Sequence, residues 1–450
     1  MNRFAYSLLL RCLSPILLGW MALRARRAGG QWGVMSAERF GRHRKPAGVR
    51  QPVWVHAVSL GETRAAQPLL RALLDRGEHV LLTHLTVTGR DEGGRAFARE
   101  IAEGRLRQEW LPYDFPGATR RFLDYYQPVV GILIEREVWP NMLAAARARK
   151  LPMMLVSARF SDHALRAVLR AGKVMQEAYA GLSAVHAQTL QDAQRLEQAG
   201  AVAVRVSGNF KFDISVPADL VAKGREFSAA LERRILTIAS TREGEDEMFI
   251  QAIQKHVRRM RAQGQEPADA VMFRLVPRHP QRFEAAAQML AEAQLPFVRR
   301  SETVAGGDCS FTAVRKARDA VVLLGDTVGE MARYYASSQL AIIGGSFAPH
   351  GGQNLIEACA IGVPVIVGPH TYNFEQAAND AIHQGAALRA QDAEAALQLA
   401  LQLLDDPRRL AQMSEAAADW VRQHAGAVQR VMDGYLAIRG ERQDARGKKA

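Results

Sequence analysis

The run Ser59-Leu60-Gly61-Glu62 closes an apolar stretch and opens a helical pattern carried by Leu70, Leu73 and Leu74. A carboxylate at that position is favoured by the helix dipole and fixed by a short turn, which suits Glu62 to general-base work. The same S-x-x-E spacing also makes a capping box, and both readings stand at this point. The run Ile134 to Asn141, IEREVWPN, ends another apolar stretch with two carboxylates. A turn there would swing Glu135 and Glu137 apart, leaving one for a ligand and one for an arginine; Glu135 is the one assigned to the ligand. In GNFKFD, Gly208 to Asp213, two phenylalanines restrict Lys211, which could set its charge on a leaving phosphate or pair with Asp213.

Phosphate-binding chemistry is suggested further along the chain. In VPRHPQRF, Val276 to Phe283, Pro277 and Pro280 stiffen a turn presenting Arg278, whose guanidinium suits bidentate phosphate binding, and His279, better placed to bond the turn than to act as an acid. GDTVGEM, Gly325 to Met331, offers Asp326 or Thr327 as a helix cap and a loop at Val328, Gly329 and Glu330. The most informative segment runs from Ile343 to Glu375, GGSFAPHGGQNLIEACAIGVPVIVGPHTYNF between them. Gly344 and Gly345 allow a tight exit from a strand, and Gly351 and Gly352 are expected to bring free amides to an anion at a helix N-terminus carrying Asn354, Leu355, Ile356 and Glu357. Glu357 could accept from a ribose, while His350, His370 and Tyr372 rim the loop as sugar contacts or as turn packing.

These residues need a scaffold of strands and helices. Apolar runs at Val53 to Val58, Val80 to Leu85, Val129 to Ile134, Met153 to Val156, Ala184 to His186 and Val202 to Val206 alternate with helical patterns. A polar stretch from Asp213 to Arg234 interrupts them, and the alternation restarts at Ile235, Val271, Val321, Leu340 and Val363. Such βαβ alternation predicts an α/β chain of two doubly wound, Rossmann-like domains with parallel sheets. Ligands in open α/β sheets sit beyond the carboxyl ends of the strands, so the motifs would converge on a cleft if the domains face one another. The expected division is an anchor over 1–30, a first domain over 31–212, a second domain over 213–438 with C-terminal helices whose last part could cross back to the first domain, and a basic tail over 439–450 that lacks large apolar residues and is expected to be disordered.

The 450 residues carry a formal charge of +13, but the first fifty hold ten Lys/Arg against Glu38 alone and Arg439 to Ala450 hold five against two. The body between is nearly neutral, which argues against a nucleic-acid groove and for basic ends at an anionic surface. Phe4 to Leu23 is apolar all round and long enough to cross a bilayer, with Arg24, Arg26 and Arg27 following at once. Charge after the apolar run is the reverse of a cleaved signal peptide and places the following domains on the cytoplasmic side. Arg11 and Pro15 inside the run leave a tilted or interfacial anchor in competition with a crossing. Cys12, Cys309 and Cys359 have no metal or disulfide spacing, and no cluster of histidine and cysteine or paired acids implies a metal.

Taken together, HAVSLGE, IEREVWPN, GNFKFD, ASTREGEDE, LVPRHPQRF, LLGDTVGEM, GGSFAPHGGQNLIEA and GPHTYNF resemble, in order and spacing, the bacterial family that transfers 3-deoxy-D-manno-octulosonic acid (Kdo) to the lipid A precursor. The resemblance runs from the anchor to about Ile438. It implies a glycosyltransferase B fold, the donor CMP-Kdo held mainly by the second domain, no cofactor or metal, and inversion at the sugar. It also implies a place at the cytoplasmic face of the inner membrane, with its anionic lipids and the lipid A precursor as partners. In that picture Glu62 deprotonates the acceptor, Glu135 and Lys211 stabilise the transition state, and Pro277, Arg278, Val328, Gly329, Glu330 and Asn354 to Glu357 hold CMP. Departures at Gln353, Leu355 and Arg242, where many relatives have His, Pro and His, touch donor contacts only. Two rivals are a nucleotide-sugar epimerase on a similar frame, which needs neither the anchor nor Glu62, and an idle lipid A-binding protein, which would have no use for Glu62 and Glu135.

Overall fold

Strands β1 to β7 form one all-parallel sheet in the order β3-β2-β1-β4-β5-β6-β7. They are Val53–His56, Val80–His84, Leu106–Trp110, Val130–Ile134, Met153–Ala158, Ala184–Ala187 and Val204–Val206. The computed structural model describes residues 1–27, 32–43, 51–214, 216–267, 270–304 and 317–447, so Cys309 and the basic positions Arg44, Lys45 and Arg50 lie outside the described residues. The helices introduced by number are α1 (Arg3–Arg27), α2 (Leu60–Asp75), α3 (Val87–Ala96), α4 (Ala98–Ala102), α5 (Pro116–Tyr126) and α6 (Pro140–Ala148).

Side chains alternate between the two faces of a strand, and the sequence uses both. Trp54, Leu81, Leu133 and Met153 pack with Phe122, Tyr126 and Met142 on one face. Val53, Val55, Leu82 and Ile132 pack on the other with Leu69, Leu70 and Leu73 of α2. A second sheet, again all parallel, runs β10-β11-β9-β8-β12-β13-β14. Its strands are Ile235–Thr241 (β8), Met272–Pro277 (β9), Phe297–Arg299 (β10), Val322–Leu324 (β11), Leu340–Ile343 (β12), Val365–Val367 (β13) and Ala387–Arg389 (β14). Leu236, Ile238, Leu275 and Ile342 form its core with Phe249 and Ile253 of the helix Glu245–Ala262.

The chain divides into one unit of Met1–Asp213 with His424 onward, and a second of Ile214–Gln423. The last helix, Ala427–Gly447, therefore belongs to the first unit: the expected bound of the second domain at 438 runs too far, and the crossing back left open for its last part is what the chain does. Ala427, Val431, Met432 and Tyr435 are buried in the same core as α2, and Tyr435 donates to Glu78 at 2.7 Å. Its helical backbone also continues through Gly447, past Arg439 where disorder was expected. The Glu, Arg and Gln residues there are good helix formers, and they extend a helix already nucleated by its docked half.

Helix α1 is long and apolar enough to cross a membrane by length and composition. Its N-terminal end is nevertheless fastened to the first unit. Met1 donates to Ala171 O at 3.2 Å, Tyr6 to Asp114 at 3.0 Å and Ser7 to Asn141 at 3.0 Å. Beyond the helix, Arg39 is buried against Trp110 and donates to Leu85 O at 2.9 Å, and Tyr113 donates to Val34 O at 2.9 Å.

Truncating Tyr435 to Ala should cost about 3–5 kcal/mol, the range for a large buried aromatic. Hydrogen exchange should quicken in α2 and β1 while β8 to β14 keep their protection. Equal loosening of both sheets would show that the last helix does not serve the first unit in particular.

Candidate active site

In a doubly wound sheet the ligand lies where neighbouring strands are connected in opposite directions. In the first sheet that point falls between β1 and β4, and Glu62 follows β1 while Glu135 follows β4. In the second it falls between β8 and β12, followed respectively by Arg242 to Glu245 and by the glycine loop from Gly344.

Ser59 caps α2, its hydroxyl accepting from Glu62 N at 3.4 Å. The Glu62 carboxylate in turn accepts from Val58 N at 2.7 Å. The box is thus formed, with the reciprocal bond reaching one residue further back than usual. Capping does not exclude acid–base work. Glu62 is only partly exposed, and burial pushes its pKa up to about 7; the Val58 N–H opposes this, Glu135 and Glu137 add to it, and Arg136 opposes it. Helix α3 seals the turn from behind, Thr86 donating to Val58 O at 2.8 Å.

Glu135 and Glu137 share this neighbourhood and are both half-buried. Glu137 is raised above the usual carboxylate range by burial, against the pull of Arg136. Lys211 sits in a single turn of 3-10 helix, Phe210–Phe212, whose two phenylalanines are buried and which packs on α2. Its backbone N–H is held by Asn209 at 3.0 Å. Asp213, the partner suggested for Lys211, instead directs its carboxylate to the N–H groups of Gly426 and Val428 at the start of the last helix.

The second unit is organised by a residue to which the sequence assigned no role. Glu245, fully buried, accepts from Arg242 N at 2.8 Å, Gly345 N at 2.5 Å, Phe347 N at 2.8 Å and Ala348 N at 3.1 Å. It pins the glycine loop to the strand before it. The signal was present in ASTREGEDE, where three acids in a row open a helix directly after an apolar strand. Beside it Asp246 bonds Thr241 and Arg282. A Cβ on Gly344 would lie 2.7 Å from Thr241 Cα, so only glycine lets the loop pass the end of β8.

The amide expectation for this loop needs correction. Gly352 N–H is not free; it donates to Gly345 O at 2.6 Å. The helix is also short and late, spanning Ile356–Ala360. Asn354 prepares it by accepting from Ile356 N at 3.0 Å and donating to Glu357 at 3.0 Å. Leu355 and Ile356 are buried, so their side chains serve the core and only their backbone is available to a ligand. His350 and Tyr372 follow the turn-packing reading, His350 meeting Glu243 O at 3.1 Å and Tyr372 donating to Pro349 O at 2.8 Å.

Pro277 ends β9 buried, Arg278 N donates to Thr241 O at 3.0 Å, and the Arg278 side chain is exposed. His279 is held below the ordinary histidine range by burial and then by Arg242 and Arg278, with Glu243 opposing and Arg282 adding. Three guanidiniums therefore stand at one strand end; Arg282 is paired with Asp246 and Arg242 with Glu243 at 3.0 Å, which leaves Arg278 to meet an anion. In the next loop Val328 is 76% exposed and Gly329 has φ +85°. Glu330 turns inward to Arg300 at 2.9 Å and Arg333 at 3.1 Å and bonds Thr327, so its carboxylate braces the loop. Asp326 caps the helix from Arg300, accepting from Ser301 N at 2.8 Å, and not the helix that follows it. Buried Tyr335, whose hydroxyl is driven up by burial and Glu357 and drawn down by Arg278, marks where these loops meet.

Residues 35–214 match the sequence profile of the family described as 3-Deoxy-D-manno-octulosonic-acid transferase (kdotransferase), and residues 311–420 match that of glycosyl transferases group 1. A 3-deoxy-D-manno-octulosonic acid transferase of Bordetella pertussis is 56% identical over 96% of this chain and 98% of its own length. The chain belongs to the Kdo transferase family. The transferase is also 29% identical, over 96% of its length and 98% of the relative, to the 3-deoxy-D-manno-octulosonic acid transferase of Haemophilus influenzae. Among solved structures, the UDP-GlcNAc 2-epimerase of Neisseria meningitidis bound to UDP-GlcNAc superposes with TM-score 0.53 at 12% identity, over 86% of this chain and 100% of the other. That likeness is one of fold, and it fits the glycosyltransferase B architecture of two parallel-sheet α/β domains.

The kcat/KM of Kdo transfer should fall about tenfold per pH unit below a midpoint near 7 as Glu62 takes up its proton. Removing a neighbouring negative charge by Glu135→Gln should move that midpoint down, whatever it does to the rate; an unmoved midpoint would separate the two carboxylates. Glu245→Gln should strand backbone donors at about 1–3 kcal/mol each. Amide exchange at Gly345, Phe347 and Ala348 should then accelerate with β1 unchanged, and equal protection in both proteins would deny Glu245 its bracing role.

Proposed function

We propose that this transferase moves Kdo from CMP-Kdo to the lipid A precursor in lipopolysaccharide synthesis, with inversion at the anomeric carbon and without a metal. Glu62 takes the proton of the acceptor hydroxyl, whose oxygen forms the bond to the anomeric carbon as the bond to the CMP phosphate breaks. CMP leaves with the electron pair. Glu135 and Lys211 stabilise the transition state, while Arg278 with Pro277, the loop Val328 to Glu330, and Asn354 to Glu357 hold the nucleotide. The observation that carries this reading is a partly buried carboxyl with a pKa of about 7 at one switch point, where a base is wanted, and a cluster of guanidiniums around a glycine loop at the other. Val328 offers an apolar surface to a base, and Arg278 a charge to a phosphate.

The acceptor's lipid explains the anchor. With Tyr6 and Ser7 of α1 tied to the first unit, the helix is read as lying along the cytoplasmic face of the inner membrane instead of crossing it. Exposed Phe4, Ile16, Trp20 and Leu23 would sit in the lipid, and the following arginines at the anionic headgroups.

Incubation with CMP-Kdo and tetraacyl lipid A precursor, followed by mass spectrometry of the lipid, should show added Kdo and count the units. Glu62→Ala should abolish the product while leaving CMP affinity near that of the parent protein. Arg278→Ala should weaken donor binding by about 1.5–3 kcal/mol in calorimetry, the range for a charged hydrogen bond. Turnover by Glu62→Ala, or conversion of a UDP-sugar without any transfer, would overturn the assignment.

A further inference from the structure

The arginine inside the apolar helix has no place in the transfer chemistry. Arg11 lies eight residues after Arg3 and four after Ser7, so the three share one face of α1 over about 12 Å of axis. That face borders a groove of about 550 Å³ against α5 and α6. Arg3, Arg11, Arg120 and Arg149 line the groove, and its other walls are Phe4, Leu8, Pro116 and the alanine face of α6, with the mutually bonded Ser7 and Asn141 between them. No aspartate or glutamate is among its lining residues. Arg149 is engaged by Asp124 at 2.6 Å, whereas Arg3, Arg11 and Arg120 make no ion pair among the described residues. A neighbouring groove of about 270 Å³ shares Arg3 but contains Glu177, which sets the two apart electrostatically.

Three guanidiniums without a carboxylate partner beside a largely apolar channel, on the flank of a helix that also exposes Leu9, Leu13 and Ile16, complement one kind of molecule. We propose that this groove is a discrete binding site for one anionic glycerophospholipid of the surrounding bilayer. Arg11 and Arg120 hold its phosphate and the alanine face of α6 receives its first acyl carbons. The lipid fills the space between α1 and the folded unit, so the helix is fixed by the bilayer itself as well as by Tyr6 and Ser7. This site is independent of the transfer reaction proposed above, and its readout is lipid retention, not turnover.

The test uses the full chain in nanodiscs of phosphatidylcholine containing phosphatidylglycerol, ejected and weighed by native mass spectrometry. The parent protein should keep one phosphatidylglycerol and no phosphatidylcholine. Arg11→Gln combined with Arg120→Gln should reduce that adduct at least about tenfold, the loss expected for charged hydrogen bonds. Ala148→Trp, which fills the groove without altering charge, should do the same, so the test survives if the double variant folds badly. Arg166→Gln, on an exposed helix face elsewhere, should retain the lipid. Equal retention of phosphatidylcholine, an adduct undiminished by either groove variant, or displacement of phosphatidylglycerol by an equimolar phosphorylated disaccharide lipid would each overturn the proposal.

Discussion

The second unit depends on one buried carboxylate. A glycine loop that leaves a sheet must satisfy its backbone N–H groups, and Gly345, Phe347 and Ala348 would be stranded without an acceptor. Glu245 answers them together with Arg242 N. Burying a charge is costly unless it is fully hydrogen-bonded, and here four donors meet two oxygens. The first unit has a carboxylate in a comparable place, in the first turn of the helix after the first strand of its sheet. Glu62 accepts from one backbone N–H, at Val58, and faces two other carboxylates. Similar topology thus gives two different groups: one spent on shape, the other left able to exchange a proton near neutrality.

Much of this was legible because the central strands are buried on both faces and read as continuous apolar runs, from Val53 to Val206 and from Ile235 to Val367. The strands that went unread, Leu106–Trp110, Phe297–Arg299 and Ala387–Arg389, are all at sheet edges. They are short or carry charges such as Arg107 and Glu109, paired at 2.7 Å, so the apolar signal is diluted where the sheet meets solvent. Candidate site residues were proposed where a motif stood at a strand end, yet Glu245, just past the end of β8, was given no role. What spacing could not say was which atoms would be used up inside the protein. Gly352 N–H goes to Gly345, the Glu330 carboxylate to Arg300 and Arg333, and Asp326 to Ser301. The bonds of Glu330 to Arg300 and of Asp326 to Ser301 span 30 and 25 residues, and no local pattern encodes them.

The same limit explains the helix from Ala427. Its composition resembles that of the helices before it, and nothing within the segment says which sheet it serves. Contacts more than two hundred residues away decide the matter: Asp213 caps its start, and Ser207 O accepts from Arg430 at 3.0 Å. Both ends of the first unit are therefore fixed by residues remote in sequence, Tyr6 by Asp114 and Tyr435 by Glu78.

Three of the nine non-glycine residues with positive φ among the described residues sit at strand ends next to the site. Ser157 and Ser240 have φ of 48° and 57°, each within a break in register, between Leu155 and Ala158 in one sheet and between Ala239 and Thr241 in the other. Glu135, at 61°, leaves β4 in the same left-handed region. Each such residue costs on the order of 1–3 kcal/mol, a cost glycine would largely avoid. The conformation is over-determined at Glu135, whose N–H reaches Val156 O at 3.0 Å and whose carbonyl accepts from Arg159 N at 3.3 Å. The carboxylate held in this geometry stands near Glu62 and raises its proton affinity. The bends turn the strand ends into loops at the switch points, where a doubly wound sheet meets its ligand.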